Sequence, residues 1–218
     1  MDMSDHDSNQ PQHGRVIRPA TRGSQLRDLG LLGEWQDNEL EGGKNFPSTE
    51  AGDFPGYPTD TKSNTPPADG VILSGGKADD ARKYINYTDQ EFSDEFKKLN
   101  LGKEVAGWKR HEVAAGADFH VEWKYAAAHV TRGYLWFITK DDWVETTRIT
   151  RDHLESEPFY KDLYTQVPFD QHKDELKAKT ALTVKLPSGK QGHHIVLLLW
   201  IIADTGAAFY QTFDVDFK

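Results

Sequence analysis

One stretch near the end of the chain decides the fold: GHHIVLLLWIIADTGAAFY, residues 192–210. Its apolar run, Ile195–Ile202, is continuous rather than alternating, which is typical of a central strand buried on both faces. The run ends at the polar corner Asp204-Thr205-Gly206 and leads into an aromatic pair. The stretch therefore predicts the central strand of a sheet followed by a tight corner.

Other segments show the period-two pattern of half-buried strands. Apolar and polar residues alternate over 119–125 and 213–217, and strands are also predicted over 134–139 and 182–186. Trp123, Trp136 and Trp200 lie within these patterns and are predicted to be in the core. Short strands separated by Gly/Pro-rich turns predict an all-β fold, an antiparallel β-sandwich.

A long insertion with some helix is predicted between the strands. Residues 42–76 are rich in Pro and Gly, as in a long loop. Thr88-Asp89-Gln90-Glu91 has the pattern of a helical capping box, and apolar residues follow it at helical spacing. A short helix is also expected near Thr150, and one or two helical turns over 171–179.

Composition excludes several classes of function. The net charge of −9 argues against nucleic-acid binding, and no apolar run is long enough to cross a bilayer, so no membrane partner is expected. The chain has no cysteine, which excludes disulfides and thiolate catalysis. Residues 1–12 lack the hydrophobic core of a secretory signal and are predicted to be a disordered leader or pro-segment. Residues 13–218 are predicted to form a single domain.

Familiar catalytic motifs are missing from the sequence. There is no HExxH motif, no Gly-x-Ser-x-Gly elbow and no phosphate-binding loop, whereas a pair of glycosidase carboxylates remains open. His193 and His194 begin a strand, so their side chains should point to opposite faces, one packed in the core and one solvated. Neighbouring polar residues favour an exposed ring for Trp35.

Six motifs in chain order resemble the bacterial-type lytic polysaccharide monooxygenases of auxiliary activity family ten, also described as type-4 chitin-binding proteins. They are His13-Gly14 with Pro19 and Arg22, Pro67-Ala68-Asp69-Gly70, Trp123-Lys124 with His129 and 136–140, Ile149-Thr150-Arg151, Pro158-Phe159, and the tail 192–210. The resemblance covers residues 13–218. It implies an immunoglobulin/fibronectin-III-like β-sandwich.

The resemblance also implies a site. His13 and His129 would bind one copper ion, with the free amine of His13 as a further ligand and Phe209 at the axial side. Ala127 would limit access to the metal, and Glu41 would line the edge of the site. Trp35, Glu41, Asp204 and Thr205 would contact an insoluble polysaccharide. An external reductant would be needed, with O2 or H2O2 as co-substrate.

Two functions remain open. The first is oxidative cleavage of chitin, which is favoured over cellulose, with oxidation at C1. The second is a non-catalytic chitin-binding protein, because the His13 nitrogen is an amide while residues 1–12 stay attached and an amide is a poor copper ligand. A structural β-sandwich in a larger assembly is a third interpretation. The protein is expected to be an extracellular monomer, exported by a non-classical route.

Overall fold

The computed structural model describes residues 13–218, so the leader predicted for residues 1–12 lies outside the described residues. Nine strands are present within that range. They are β1 (Gly14–Arg18), β2 (Glu41–Gly43), β3 (His111–Val113), β4 (Asp118–Tyr125), β5 (Thr131–Ile138), β6 (Tyr160–Leu163), β7 (Ala181–Lys185), β8 (Gly192–Ile202) and β9 (Ala207–Phe217).

Two sheets pack face to face. The smaller has the order β1-β4-β7 and the larger the order β2-β9-β8-β5-β6. All neighbours in these two orders are antiparallel, and β3 joins the second half of β9 in parallel. The prediction of an antiparallel, immunoglobulin/fibronectin-III-like β-sandwich is confirmed.

The apolar run over 195–202 is the centre of the larger sheet. Strand β8 lies between β5 and β9, and both of its faces are buried. Its even-numbered side chains, such as Trp200, pack between the sheets with Trp123 and Trp136. Its odd-numbered side chains pack against the helix-containing insertion. Burial on both faces explains why the run has no polar alternation.

Three α-helices are described: α1 (Arg22–Asp28), α2 (Glu34–Asn38) and α3 (Asp89–Leu99). The capping box predicted at Thr88 is confirmed at the start of α3. Near Thr150 there is only a single 3-10 turn. At the second segment, a 3-10 turn over Phe169–Gln171 is followed by a turn in which the Leu176 nitrogen donates to the His172 carbonyl oxygen at 3.0 Å, so helical turns form there without an α-helix. Leu176 is the one apolar side chain buried in that segment. No helix in residues 13–218 is long and apolar enough to span a membrane.

Candidate metal centre

Segments that are far apart in sequence meet at one end of the sandwich. His13 precedes β1, and Gly14 pairs with Tyr125 at the end of β4. His129 precedes β5, whose first residue pairs with Ile202 at the end of β8. The turn over 203–206 then leads into β9, where Phe209 pairs with Glu41 of β2. Strand pairing therefore brings the predicted site residues to a common edge.

His13 is held mainly through its backbone. Its carbonyl oxygen accepts a hydrogen bond from the Ala126 nitrogen at 2.8 Å. Its ring atom Nδ1 lies 3.3 Å from Oε1 of Glu39, whose side chain is 31% exposed. A carboxylate beside this ring favours the binding of a cation there.

His129 has a nearly buried side chain, 12% exposed, in the connection between β4 and β5. Its Nδ1 lies 3.5 Å from Oδ1 of Asp204. That distance is long for a hydrogen bond, yet both atoms are buried and have no other partner in residues 13–218. The carboxylate can only accept, so the geometry favours a proton on Nδ1 and leaves Nε2 as the ring nitrogen able to bind a metal.

Phe209 lies against both histidines. The centroid of its ring is 5.7 Å from that of His13 and 5.9 Å from that of His129. The ring is buried and stacks on Trp200 at 4.8 Å, so the sandwich core fixes its position. A phenyl ring offers no donor atom, and Phe209 therefore shapes this site without adding a ligand.

The side chains suit copper. Two imidazoles supply the nitrogen ligands that copper prefers, and the buried Nδ1 of His129, which faces only Asp204, leaves Nε2 of that ring for the metal. The carboxylates of Glu39 and Asp204 beside the two rings add negative charge. The backbone nitrogen of His13 is an amide as long as a peptide bond precedes it, so this third nitrogen requires a chain that starts at His13.

Trp35 lies on α2, the helix followed directly by Glu39, which contacts His13, and its side chain is 57% exposed. The guanidinium of Arg82 is 5.5 Å from the centroid of its ring. On the buried side of α2, the carboxylate of Asp37 is fully buried. Burial raises the pKa of Asp37 to about 6, although the positive charges of Arg27 and Arg15 oppose this shift. Buried charges thus anchor a helix that presents an aromatic ring to solvent.

The other predicted site residues lie at the same end. Asp204 and Thr205 form the β8–β9 turn, where the Thr205 hydroxyl accepts a hydrogen bond from the Ala207 nitrogen at 3.2 Å. Ala127 lies two residues before His129 and is partly exposed. Among the described residues, no hydrogen bond or ion pair joins the Glu41 carboxylate to either histidine. The sequence analysis missed Glu39, because nothing in the pattern separates it from its acidic neighbours in 34–41.

A second group of metal-binding residue types lies elsewhere. Ligand atoms of Asp89, Glu145 and His193 lie within 4.8 Å of one another. However, Arg110 Nη2 already contacts both carboxylates, at 2.6 and 2.9 Å. His193 lies between Glu145 and Asp214 with 8% of its side chain exposed, so the prediction that one histidine of the His193–His194 pair is solvated was wrong. This cluster is an ion-pair network.

Comparison with known proteins identifies related sequences and structures. A family model described as "Lytic polysaccharide mono-oxygenase, cellulose-degrading" matches residues 13–215. GlcNAc-binding protein A of Aliivibrio fischeri (strain MJ11) is 28% identical over 191 residues, which make up 88% of this chain and 31% of that protein. The chain spans about a third of the length of the curated relatives of this name that match most of it.

Two solved structures are also similar. A chitin binding domain from Burkholderia pseudomallei is 37% identical with a TM-score of 0.84, over 95% of this chain and 100% of that one. An AA10 lytic polysaccharide monooxygenase from Streptomyces lividans is 25% identical with a TM-score of 0.67, over 94% of this chain and 100% of that one. The match to the family model, residues 13–215, includes the segments that carry the candidate metal centre.

Proposed function

Because this chain belongs to the lytic polysaccharide monooxygenase family, we propose that it is a copper-dependent monooxygenase that cleaves chitin by oxidation. The observation that carries the proposal is the convergence of His13 and His129 on the ring of Phe209, at 5.7 and 5.9 Å. The two imidazoles, and the amine of a chain that begins at His13, would hold one copper ion. Chitin is the proposed substrate because similar proteins bear the names GlcNAc-binding protein and chitin binding domain.

Copper held by these residues and reduced by an external donor would activate the oxidant, so that one oxygen atom of H2O2, or of O2 with two electrons and two protons, enters a C–H bond and the other leaves as water. Insertion at C1 makes that carbon a hydroxylated centre, which expels the neighbouring sugar as an alcohol and leaves a lactone. The chain's own residues would keep the reaction in place. Asp204 orients His129, while Phe209 and Ala127 restrict the space next to the metal ligands.

Substrate binding is proposed for the surface around the two histidines. The exposed ring of Trp35 would stack on a sugar, and its polar neighbours would contact hydroxyl and acetamido groups. Glu41, Asp204 and Thr205 would complete this surface. Because the polymer is insoluble, we place this activity outside the cell.

The test compares the 218-residue chain with a chain that begins at His13. Each is loaded with copper and incubated with β-chitin or cellulose and ascorbate, and soluble products are identified by mass spectrometry. Oxidised chito-oligosaccharides are expected only from the chain that begins at His13, and they should disappear in its His129→Ala variant. Oxidised products from cellulose alone would reject chitin as the substrate, and no oxidised product from either polymer would reject the enzyme.

A non-catalytic chitin-binding protein is the second candidate. It is favoured by the amide character of the His13 nitrogen within the 218-residue chain and by the exposed ring of Trp35. In this case the chain should bind β-chitin without copper, and Trp35→Ala should weaken binding about tenfold or more, as loss of one stacking ring does. The exposed Leu101, which follows α3 in the chain, provides Leu101→Ala as the control.

A further inference from the structure

Lys44 is a fully buried lysine next to the candidate metal centre. It follows β2 directly and has 0% of its surface exposed. Lysine is almost never fully buried unless it is paired with an acid. Among residues 13–218, no carboxylate forms a salt bridge with Lys44. Its Nζ instead donates to the carbonyl oxygen of Ile202 at 2.5 Å and lies 3.5 Å from that of Ala203.

These contacts hold both ends of one turn. Ile202 is the last residue of β8, and the turn that follows carries Asp204. The backbone nitrogen of Lys44 donates to the carbonyl oxygen of Gly206 at 3.3 Å. The side chain of one residue thus fixes the start of the turn, and its backbone fixes the end. Hydrogen bonds from an ammonium group are stronger than those between neutral groups.

Stability does not account for a charge at this position. Burial lowers the pKa of Lys44 to about 8, against the attraction of Asp60 and Asp204, while Arg132 adds to the lowering. The ammonium also lies 5.9 Å from the centroid of the Phe54 ring, in an apolar environment. A methionine of similar length would fill this space without a desolvation penalty. The ammonium group therefore has a role other than packing, and its hydrogen bond to Ile202 at the start of the turn indicates that role.

We infer that Lys44 is a positioning residue for the candidate metal centre: its ammonium group fixes the Ala203–Gly206 turn so that the Asp204 carboxylate faces Nδ1 of His129. This orientation keeps the proton on Nδ1 and leaves Nε2 free. The inference rests on the proposed function only for the role of His129 as a ligand. The contacts themselves belong to the metal-free protein.

The chain offers a matched control for Lys44. Lys190 is 7% exposed, and its Nζ also donates to a backbone carbonyl, that of Thr139, at 2.9 Å. It lies two residues before β8 and also pairs with Asp141 and Glu155, whereas the turn with Asp204 follows the end of that strand. Lys44→Met and Lys190→Met both remove a buried ammonium group. Only the first removes one that contacts the turn.

The experiment uses the metal-free 218-residue protein labelled with 15N. In the wild type and in Lys190→Met, the ring signals of His129 should show the proton on Nδ1. In Lys44→Met, the signals should move toward the tautomer with the proton on Nε2. The amides of Thr61 and Asn64, which donate to Ala203 and Gly206, should exchange with solvent about tenfold faster or more, as expected for loss of a charged hydrogen bond.

Lys44→Gln is the second variant, in case Lys44→Met does not fold. It keeps a donor on a shorter side chain, so the changes should have the same direction and a smaller size. The wild type gives a third measurement, because the His129 ring signals should show a step at about pH 8 as Lys44 loses its proton. The charged groups that act on Lys44 in this range are Asp60, Arg132 and Asp204.

The outcomes are separate from those of the activity test. If neither variant folds, the wild type decides: a step in the His129 ring signals at the pH where Lys44 itself titrates supports the inference, and ring signals that stay constant through that pH overturn it. Unchanged ring signals and exchange rates in either folded variant would also overturn the role of Lys44. None of these measurements involves copper or chitin, so the proposed function stands or fails independently of them.

Discussion

Asp204 combines two features that the sequence did not connect. The resemblance implied a polymer contact for this residue in the β8–β9 turn. The structure also places its Oδ1 3.5 Å from Nδ1 of His129. Both atoms are buried and have no other hydrogen-bond partner in residues 13–218, so the contact between them offsets the cost of burying each polar atom. Spacing in the sequence could not reveal this contact, because strands β5 and β8 must pair before the two residues meet.

Asp204→Ala is expected to weaken Cu(II) binding by about tenfold or more in a chain that begins at His13, as loss of a carboxylate behind a ligating histidine does. Isothermal titration calorimetry measures the affinity. Asp118→Ala, which removes an exposed carboxylate paired with Lys185 at 3.0 Å, is the control and should bind copper as the wild type does. Equal affinities for wild type and Asp204→Ala would contradict the orienting role of Asp204.

Glu39→Gln is expected to weaken Cu(II) binding several-fold, because a charge 3.3 Å from the His13 ring is lost. The same calorimetric titration, at low salt, measures the change. Glu95→Gln is the matched control, since it makes the same change of charge on α3, where Glu95 pairs with Lys98. If the two variants lose affinity equally, net charge rather than proximity to His13 is responsible.

Elements at the edges of the sheets depended most on tertiary context. Strand β8 was predictable because a short, continuous apolar run is typical of a strand buried on both faces. In contrast, β2 (Glu-Gly-Gly) and β6 (Tyr-Lys-Asp-Leu) show no strand pattern and form because β9 and β5 offer them an edge. Helix α1 contains Gly23 and carries few apolar residues, so it was not predicted; a Thr21 capping box and the buried Leu26 support it.

Helix α1 is joined to β9 by a buried ion pair. Arg22 donates from Nε and Nη2 to both carboxylate oxygens of Asp214, at 2.7 and 2.8 Å. Burial raises the pKa of Asp214, but the guanidinium of Arg22 outweighs burial and holds that pKa well below its usual range. The folded state therefore gains stability from this carboxylate above about pH 4, and the gain is lost as pH falls below that value.

Arg22→Met is expected to lower the free energy of unfolding by about 3–5 kcal/mol at pH 7, because it leaves a buried carboxylate without its main partner. Urea denaturation at pH 7 and pH 3 measures the loss, which should be smaller at pH 3. The exposed Arg18, 4.0 Å from Glu122, provides Arg18→Met as a control with a change within about 0.5 kcal/mol. A loss below about 1 kcal/mol for Arg22→Met would refute the argument.

At the scale of the whole molecule, packing and buried charges replace cross-links. The chain has no cysteine, and two continuous apolar clusters lie on the two faces of the larger sheet. The β-sandwich could be predicted from the sequence, because packing of two sheets requires strands with these apolar patterns. The candidate metal centre could not, because His13, His129 and Phe209 come from the segment before β1, the β4–β5 connection and strand β9, and they were identified by resemblance alone.

The pH dependence of stability should have an alkaline maximum. The folded pKa of Lys44, about 8, lies below the ordinary value of 10.5, so the unfolded chain binds more protons between these values and stability rises with pH. Above about pH 10 stability should fall, because burial raises the pKa of Tyr134 and Tyr210 and only the unfolded tyrosines ionise.

Urea denaturation between pH 7 and pH 11 tests this profile. The free energy of unfolding of the wild type, relative to Lys44→Met, should increase by up to about 3 kcal/mol between pH 8 and pH 10.5. The decline above pH 10 should remain in both proteins. A constant difference between them across this range would show that Lys44 keeps an ordinary pKa in the folded state.

The backbone contacts of His13 have a consequence for activation. The Ala126 nitrogen binds the His13 carbonyl, and pairing of β1 with β4 begins at Gly14, so these anchors all lie on the carboxyl side of the His13 nitrogen. A protease that cut before His13 would therefore release an amine inside a framework that is already assembled. Under the proposed function, the chain would pass from latent to metal-competent by one irreversible cut, without any refolding of the sandwich.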